Sequence, residues 1–300
     1  MSCTTSAADS ATSAFSPLRV VPMTGSTQDD LRADLTGAKA DHWPHFSALH
    51  ALGQSAGRGR SGNTWTTPAT GALTVSVVLR PLVPVDALAW LPLLAGLAVH
   101  DALAPRIDPR RWRLSTKWPN DVVALPTAPA EDPTPAPPEV EGWGTSRKLA
   151  GVLAELIPLP GLPLPDGRPP TRDQAPAVVL GIGVNVRQSV EQLPVPWAAS
   201  LRTLGVEAEP EEVREDIGAR LRQRLVQWEE VGGDPRSAGG GLAQQLREAC
   251  ATLGQRVSVQ APSGCVEGLA IDLDPGLVLR TESGTVVLQA GDVKLVRGRS

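Results

Sequence analysis

Gly53-Gln54-Ser55-Ala56-Gly57-Arg58-Gly59-Arg60-Ser61-Gly62-Asn63-Thr64-Trp65 decides which folds are open to this chain of 300 residues. Four glycines in ten residues leave the backbone free for left-handed conformations and for close approach to a ligand. Arg58 and Arg60 stand between them, with guanidinium forks that suit carboxylates and phosphates and stay charged at any working pH. The stretch reads as an anion-binding loop, the anion most simply a phosphate or an acyl phosphate. A flexible surface turn with two solvated arginines is the alternative reading of the same residues. It is not a Walker loop, because no Gly-Lys-Ser/Thr ending follows. It is not a dinucleotide-binding fingerprint, because the glycines are wrongly spaced and Trp65 follows rather than a helix.

Working outward, residues 18–21 read as a short strand. The hydroxyl-rich segment Thr24-Gly25-Ser26-Thr27-Gln28-Asp29-Asp30-Leu31 follows, where Ser26 or Thr27 can cap a helix with acidic residues in its first turn. The same hydroxyls and free backbone N–H groups can bond a polar head group. Residues 47–52 form an apolar lead into the glycine loop. Beyond the loop, Leu73, Val75, Val77 and Leu79 alternate as a strand does. Residues 86–104 carry apolar positions at helical spacing and predict a buried helix, with Pro92 tolerable near its start or as a kink. Lys117-Trp118-Pro119-Asn120-Asp121 then ends a strand in a turn. An ammonium, an amide and a carboxylate together there can hold a nucleotide phosphate and a Mg2+ ion, or make only a polar hairpin turn.

Residues 126–145 hold six prolines and read as an extended, mobile insertion in a hairpin that should not disturb the core. Residues 147–156 return as a strand with Lys148 at its entrance, and 159–176 make a second Pro-rich loop. Residues 177–186 read as a buried strand in which Gly181 and Gly183 signal close approach by a ligand or another backbone; as an edge strand it could also pair with a partner protein or a second subunit. An amphipathic helix over 209–230 and a shorter one over 242–252 follow. From Gly254 onward, short strands and tight turns predict a small β-barrel.

Composition narrows the function classes. The apolar fraction of 41% supports a substantial core, and the net charge of −4 argues against a general nucleic-acid binder. Only four lysines occur, at 39, 117, 148 and 294, and two of them fall inside the unusual motifs. Cys3, Cys250 and Cys265 have neither metal-ligand spacing nor a disulfide framework, which reads as reduced thiols and a cytoplasmic setting. No secretion signal and no membrane-spanning apolar stretch is read from the sequence.

Five motifs, in order, resemble the biotin–protein ligases. They are Ser26-Thr27; Gln54 with Gly57-Arg58-Gly59-Arg60, Gly62 and Trp65; Lys117-Trp118-Pro119-Asn120-Asp121; Lys148-Leu149-Ala150-Gly151; and Gly181-Ile182-Gly183-Val184-Asn185. The resemblance covers roughly residues 17–298. It implies an α/β (α+β) fold: a mixed β-sheet catalytic domain packed with helices on one face over 17–252, then a small SH3-like β-barrel over 253–298. A disordered stretch, 1–16, comes first. It also implies two-step chemistry, with ATP and biotin as substrates and Mg2+ on the triphosphate. Biotin is activated as biotinyl-5′-AMP and then passed to a lysine of a biotin carboxyl carrier domain of a biotin-dependent carboxylase.

Carried over by the same resemblance, Lys148, Arg58 and Lys117 are the catalytic cations. Ser26, Thr27, Gln54, Gly57, Arg58, Gly59, Arg60, Lys148 and Gly151 contact biotin. Arg60, Trp65, Lys117, Asn120 and Asn185 contact ATP or the adenylate, and Asp121 is the candidate Mg2+ ligand. Two departures stand out: Gln28 where the family usually has Asn, and Asn63 where it usually has a basic residue. About 16 residues precede the first strand, too few for the winged helix-turn-helix of some relatives. The expectation is therefore no DNA-binding role, no membrane association, and a monomer or weak homodimer. A lipoyl or octanoyl ligase is the nearest rival, and a non-enzymatic biotin or adenylate sensor is a rival of another class.

Overall fold

Alternation along three neighbouring strands places the core and leaves room for a site. The computed structural model describes residues 13–65, 67, 71–127, 137–158, 167–237 and 241–296. Residues 1–12 of the expected disordered start, 128–136 of the insertion, 159–166 of the second Pro-rich loop and 297–298 of the C-terminal unit lie outside the described residues. Seven strands make one mixed sheet: β1 (Leu18–Val21), β2 (Ser47–Ala51), β3 (Ala72–Leu79), β4 (Trp112–Lys117), β5 (Asp121–Pro126), β6 (Arg147–Ile157) and β7 (Ala177–Asn185). Their order is β1-β2-β3-β7-β6-β5-β4. Only β1 and β2 pair in parallel; the other neighbours are antiparallel. The strand of residues 177–186, proposed as an edge for pairing with a partner, is central here. Its near-continuous apolar composition is what a strand covered on both faces requires.

Helices α1 (Thr27–Thr36), α2 (Leu91–Leu103), α3 (Pro210–Glu230) and α4 (Gly241–Ala249) complete this part of the chain. Leu73, Val75, Val77 and Leu79 of β3, with Leu180 and Ile182 of β7, point into the larger core built with α2 and α3. Val78 and Val179 point the other way, into a smaller cluster with Leu31 and Leu35 of α1. Helices therefore cover both faces, a correction to the one-faced expectation. The α1 helix is capped by Ser26, whose hydroxyl accepts from the Asp29 N–H. Pro92 falls in the first turn of α2, where a missing N–H costs nothing. The helical run Val85–Arg106 spans 22 residues at a mean hydropathy of 1.6, long and apolar enough by composition to cross a bilayer, which corrects the expectation of no such stretch. Most of it is buried in the protein core.

Residues 13–16, expected within the disordered start, are tied down. Phe15 is buried and stacks on Phe46 at 5.5 Å, and the Ala14 N–H donates to Glu215 at 2.5 Å. The C-terminal strands β8 (Arg256–Ala261), β9 (Gly264–Asp274), β10 (Gly276–Thr281), β11 (Gly284–Leu288) and β12 (Asp292–Leu295) form a second, antiparallel sheet in the order β11-β10-β9-β8-β12. Val257, Val259, Leu277 and Leu279 join the same apolar cluster as α2 and α3, so this sheet packs directly on the larger unit.

Candidate active site

The two-faced alternation creates the cavity. On the α1 side, Val78 pairs with Val179, then Ser76 with Gly181 and Thr74 with Gly183 along the β3–β7 ladder. On the β6–β7 ladder Gly181 faces Leu153 and Gly183 faces Gly151. Helix α1 covers the apolar end of this face. The end bearing hydroxyls and glycines is left as a cavity of about 550 Å3, within the usual range for small-molecule sites.

The strand glycines are required by neighbouring side chains. A Cβ on Gly181 would lie 2.7 Å from Gln28 Oε1, and one on Gly183 would lie 2.4 Å from Trp65 Cε2. The close approach read from the sequence is thus made by Gln28 and Trp65. The Trp65 indole N–H is buried without a hydrogen-bond partner among the described residues. Leaving such a donor unmet costs about 1–3 kcal/mol, so it is disposed to bond a ligand acceptor.

One part of the cavity is a polar cluster. The Thr27 backbone N–H donates to Gln54 Oε1 at 2.8 Å, and the Thr27 and Ser76 hydroxyls lie 2.7 Å apart. Ser26 lines the same region. Gln28 is buried, donating to the Val179 carbonyl at 3.0 Å, so its extra methylene reaches across β7 rather than into solvent. Arg58 differs from expectation. Its Nη1 is 3.0 Å from both Asp29 and Glu155, and Arg32 pairs with the same two carboxylates. Its charge is already balanced, so its expected role in offsetting ligand charge passes to other cations. Gly57 is also reassigned. It does not line the cavity; a Cβ there would lie 2.4 Å from the Trp65 carbonyl, and its own carbonyl accepts from the Trp65 N–H. It shapes the loop. Gly59 and Gly151 do line the cavity.

The cations lie together in a second part. Lys148 Nζ is 2.7 Å from Asp121 Oδ1 and 5.6 Å from the Trp65 ring centroid. Lys117 Nζ donates to the Val293 carbonyl of β12 at 3.0 Å and sits 3.8 Å above the Trp143 ring. Burial pushes the Lys117 pKa below its ordinary value; Asp121 opposes this and the nearby Lys148 adds to it. Burial lowers Arg60 in the same way, against the pull of Asp292 and Asp121. The burial of Lys117 and Arg60 makes charge interactions there stronger than at a surface.

Asp121, the expected Mg2+ ligand, is paired with Lys148, and no group of three or more His, Cys, Asp or Glu that could hold a metal occurs among the described residues. Asn120 donates to the Val152 carbonyl at 2.6 Å and braces the turn after Lys117. Asn185 donates to the Ala199 carbonyl at 3.0 Å and accepts from Gln188 at 3.2 Å. Each end of its amide is engaged, with one N–H and one lone pair left over, at a residue that lines the cavity.

Comparison with known proteins decides the family. A model described as the Biotin/lipoate A/B protein ligase family matches residues 21–161. The biotin–[acetyl-CoA-carboxylase] ligase of Mycobacterium tuberculosis (strain ATCC 25618 / H37Rv) is 37% identical over 291 residues, 95% of this chain and 91% of that protein. The chain belongs to the biotin–protein ligase family. A ligase of the same description from Paracoccus denitrificans is 30% identical and covers 80% of this chain and 86% of its own length. The fold matches a biotin protein ligase from Aquifex aeolicus, solved in complex with biotin and ATP, at a TM-score of 0.66 and 24% identity; the match covers 95% of this chain and all of that one (100%).

Several lining residues of this ligase-family cavity escaped the sequence reading. Thr74 and Ser76 interrupt an apolar strand, and that polar interruption is a usable signal. Glu155, which does not line the cavity but holds Arg58 and Arg32 beside it, is the one acid in β6. Trp143, Trp197 and Asp292 come from loops and the second sheet, and only the fold brings them in. Trp143 belongs to the insertion of residues 126–145, which was expected to leave the core alone. Its described part instead reaches the cavity, held by the Leu295 N–H donating to the Gly142 carbonyl at 3.1 Å.

Proposed function

We propose that the chain is an ATP-dependent biotin–protein ligase that activates biotin as biotinyl-5′-AMP and transfers it to a carrier-domain lysine. The observation that carries this reading is the cavity itself. A hydroxyl and amide cluster (Thr27, Gln54, Ser76) adjoins a cluster of cations (Lys117, Lys148, Arg60) under one glycine loop. The similarity to a Mycobacterium tuberculosis biotin–[acetyl-CoA-carboxylase] ligase along nearly its whole length supports the same reading.

In the first step a biotin carboxylate oxygen attacks the α-phosphorus of ATP, the bond to the bridging oxygen breaks, and pyrophosphate leaves. Two anions must meet, so positive charge held in place lowers the barrier more than any proton transfer. Lys148 is the group best placed to stabilise charge on the α-phosphoryl oxygens, because Asp121 orients its ammonium. Lys117 and Arg60 add charge from the Trp118 and loop sides. In the second step the carrier amine attacks the acyl carbon, AMP leaves, and the amine loses its proton. The mixed anhydride hydrolyses readily, and a loop packed across the cavity by Trp65 keeps water from it.

Magnesium belongs to this proposal as a companion of the ATP phosphates, since Asp121 is committed to Lys148. The carrier is proposed to be the biotin carboxyl carrier domain of acetyl-CoA carboxylase or a like carboxylase. A cytoplasmic location, no membrane partner, and a monomer or weak homodimer complete the reading, with no DNA partner, for which the net charge of −4 is the support. The test is direct. The full chain is incubated with biotin and Mg-ATP, the adenylate is isolated, and a carrier domain is then added. Biotin appearing on the carrier lysine, and lost with Lys148→Met, supports the reading. Adenylate formation unchanged in Lys148→Met overturns the role of Lys148.

A further inference from the structure

Lys117 is a cation of the cavity, and the groups that hold it come from outside its own motif. Its ammonium carries three N–H groups. One donates to the Val293 carbonyl of β12 at 3.0 Å. The centroid of the Trp143 ring lies 3.8 Å from the same nitrogen, well inside the range of a cation–π contact. The Asp121 carboxylate also favours the charged form, but that carboxylate is paired with Lys148. Burial withdraws the Lys117 ammonium from water, so the carbonyl and the ring stand in for lost hydration. At least one N–H is left for a ligand.

The indole is itself held in place. The Val140 N–H donates to the Gly144 carbonyl at 2.8 Å, the Trp143 N–H to the Val140 carbonyl at 3.0 Å, and the Ser146 N–H to the Trp143 carbonyl at 3.1 Å. The Leu295 N–H donates to the Gly142 carbonyl, so this turn is tied to β12, the strand that also supplies the Val293 carbonyl. The buried Arg147 guanidinium donates to the carbonyls of Pro138 and Ser146 on either side of the turn. The ring stacks on Trp197, with centroids 5.9 Å apart and planes 13° apart. A ring fixed in this way sets the position of the flexible lysine beside it, not the reverse.

We propose that Trp143 is a positioning residue for Lys117: its π face holds the ammonium at the cavity wall, so that the charge is in place before ATP arrives. This rests on the ligase reading, in which Lys117 adds positive charge to the first step. It adds to that reading a residue from the insertion of residues 126–145 that acts through another side chain.

The test is a double-mutant cycle on the full chain, read as the single-turnover rate of adenylate formation from biotin and Mg-ATP. Trp143→Leu keeps apolar bulk and removes the π face, and is expected to slow the step by roughly two- to thirtyfold. Trp143→Phe keeps a ring face and recovers most of the rate. In a Lys117→Met background, Trp143→Leu causes no further loss, because no ammonium remains for the ring to hold. Additive losses in the cycle overturn the proposal, since the indole then acts on some other group. Equal losses in Trp143→Phe and Trp143→Leu overturn it too, since bulk and not the π face then matters, as does an unchanged rate in Trp143→Leu. If Lys117→Met does not fold, the comparison of Phe with Leu decides by itself. No adenylate from the unaltered chain is a different outcome: the ligase reading then fails, and this proposal with it.

Discussion

Gly183→Ala is the sharpest perturbation the fold offers, because its sign depends on one contact. Replacing a strand glycine with alanine normally stabilises, by about 0.4–1 kcal/mol, since the unfolded chain loses freedom. At this position the new methyl would lie 2.4 Å from Trp65 Cε2 and 2.6 Å from Cζ2. That is about 1 Å inside the ~3.5 Å of ordinary carbon contact. The same ring also lies over Gly151, whose missing Cβ would be 3.3 Å from Cζ3, so Trp65 packs against two strand glycines at once. Overpacking of this kind costs about 1–3 kcal/mol. Net destabilisation is therefore expected in urea unfolding of Gly183→Ala. In a Trp65→Ala background the same change is expected to turn neutral or stabilising, giving a coupling energy of about 1–3 kcal/mol in the double-mutant cycle. Gly183→Ala found as stable as the parent, with additive behaviour in the cycle, would refute the placement of Trp65 against β7.

Three further outcomes follow from named contacts. Lys148→Met is expected to lower the rate of adenylate formation by about 10²–10³ with little change in KM for biotin, as for loss of one pre-placed charge donor; stopped adenylation assays measure it. Glu155→Gln removes one of the two carboxylates holding Arg58. Because the pair is partly exposed, less than ~1 kcal/mol of stability is at stake, and the guanidinium charge this leaves unbalanced is expected to make KM for biotin more sensitive to salt. His50 is fully buried, and burial beside Arg214 lowers its pKa from 6.5 to about 4. The unfolded chain then binds a proton between these values that the native chain does not. This contribution to stability is complete above pH ~6.5 and is lost as pH falls toward ~4, on the order of 3 kcal/mol in all. His50→Asn is expected to flatten the unfolding free energy against pH in that window.

The strands of the large sheet were legible because their periodicity is local: the predicted strand over 72–79 and the observed β3 coincide. The glycine loop, the Lys117 turn and Lys148 were legible as chemistry because unusual residue types cluster within a few positions. Which of these residues meet the cavity was less legible, because that depends on partners far along the chain. Arg58 was read as free charge, yet Asp29 and Glu155 neutralise it across 97 positions of sequence separation in the Glu155 case. Asp121 was read as a hard-cation ligand, yet the fold brings Lys148 to it. The central placement of β7 was missed because a strand's neighbours are set by topology, not by its own composition. Trp143 was missed because proline-rich composition says nothing about where a loop's ordered end will dock.

The central claim is tested most directly by ATP–pyrophosphate exchange catalysed by the full chain, with biotin and with lipoate as the carboxylate. The account predicts exchange that requires biotin and is not supported by lipoate. Exchange with lipoate in place of biotin would assign the cavity to the other branch of the family, and tight biotin binding without exchange would make the protein a sensor rather than a ligase.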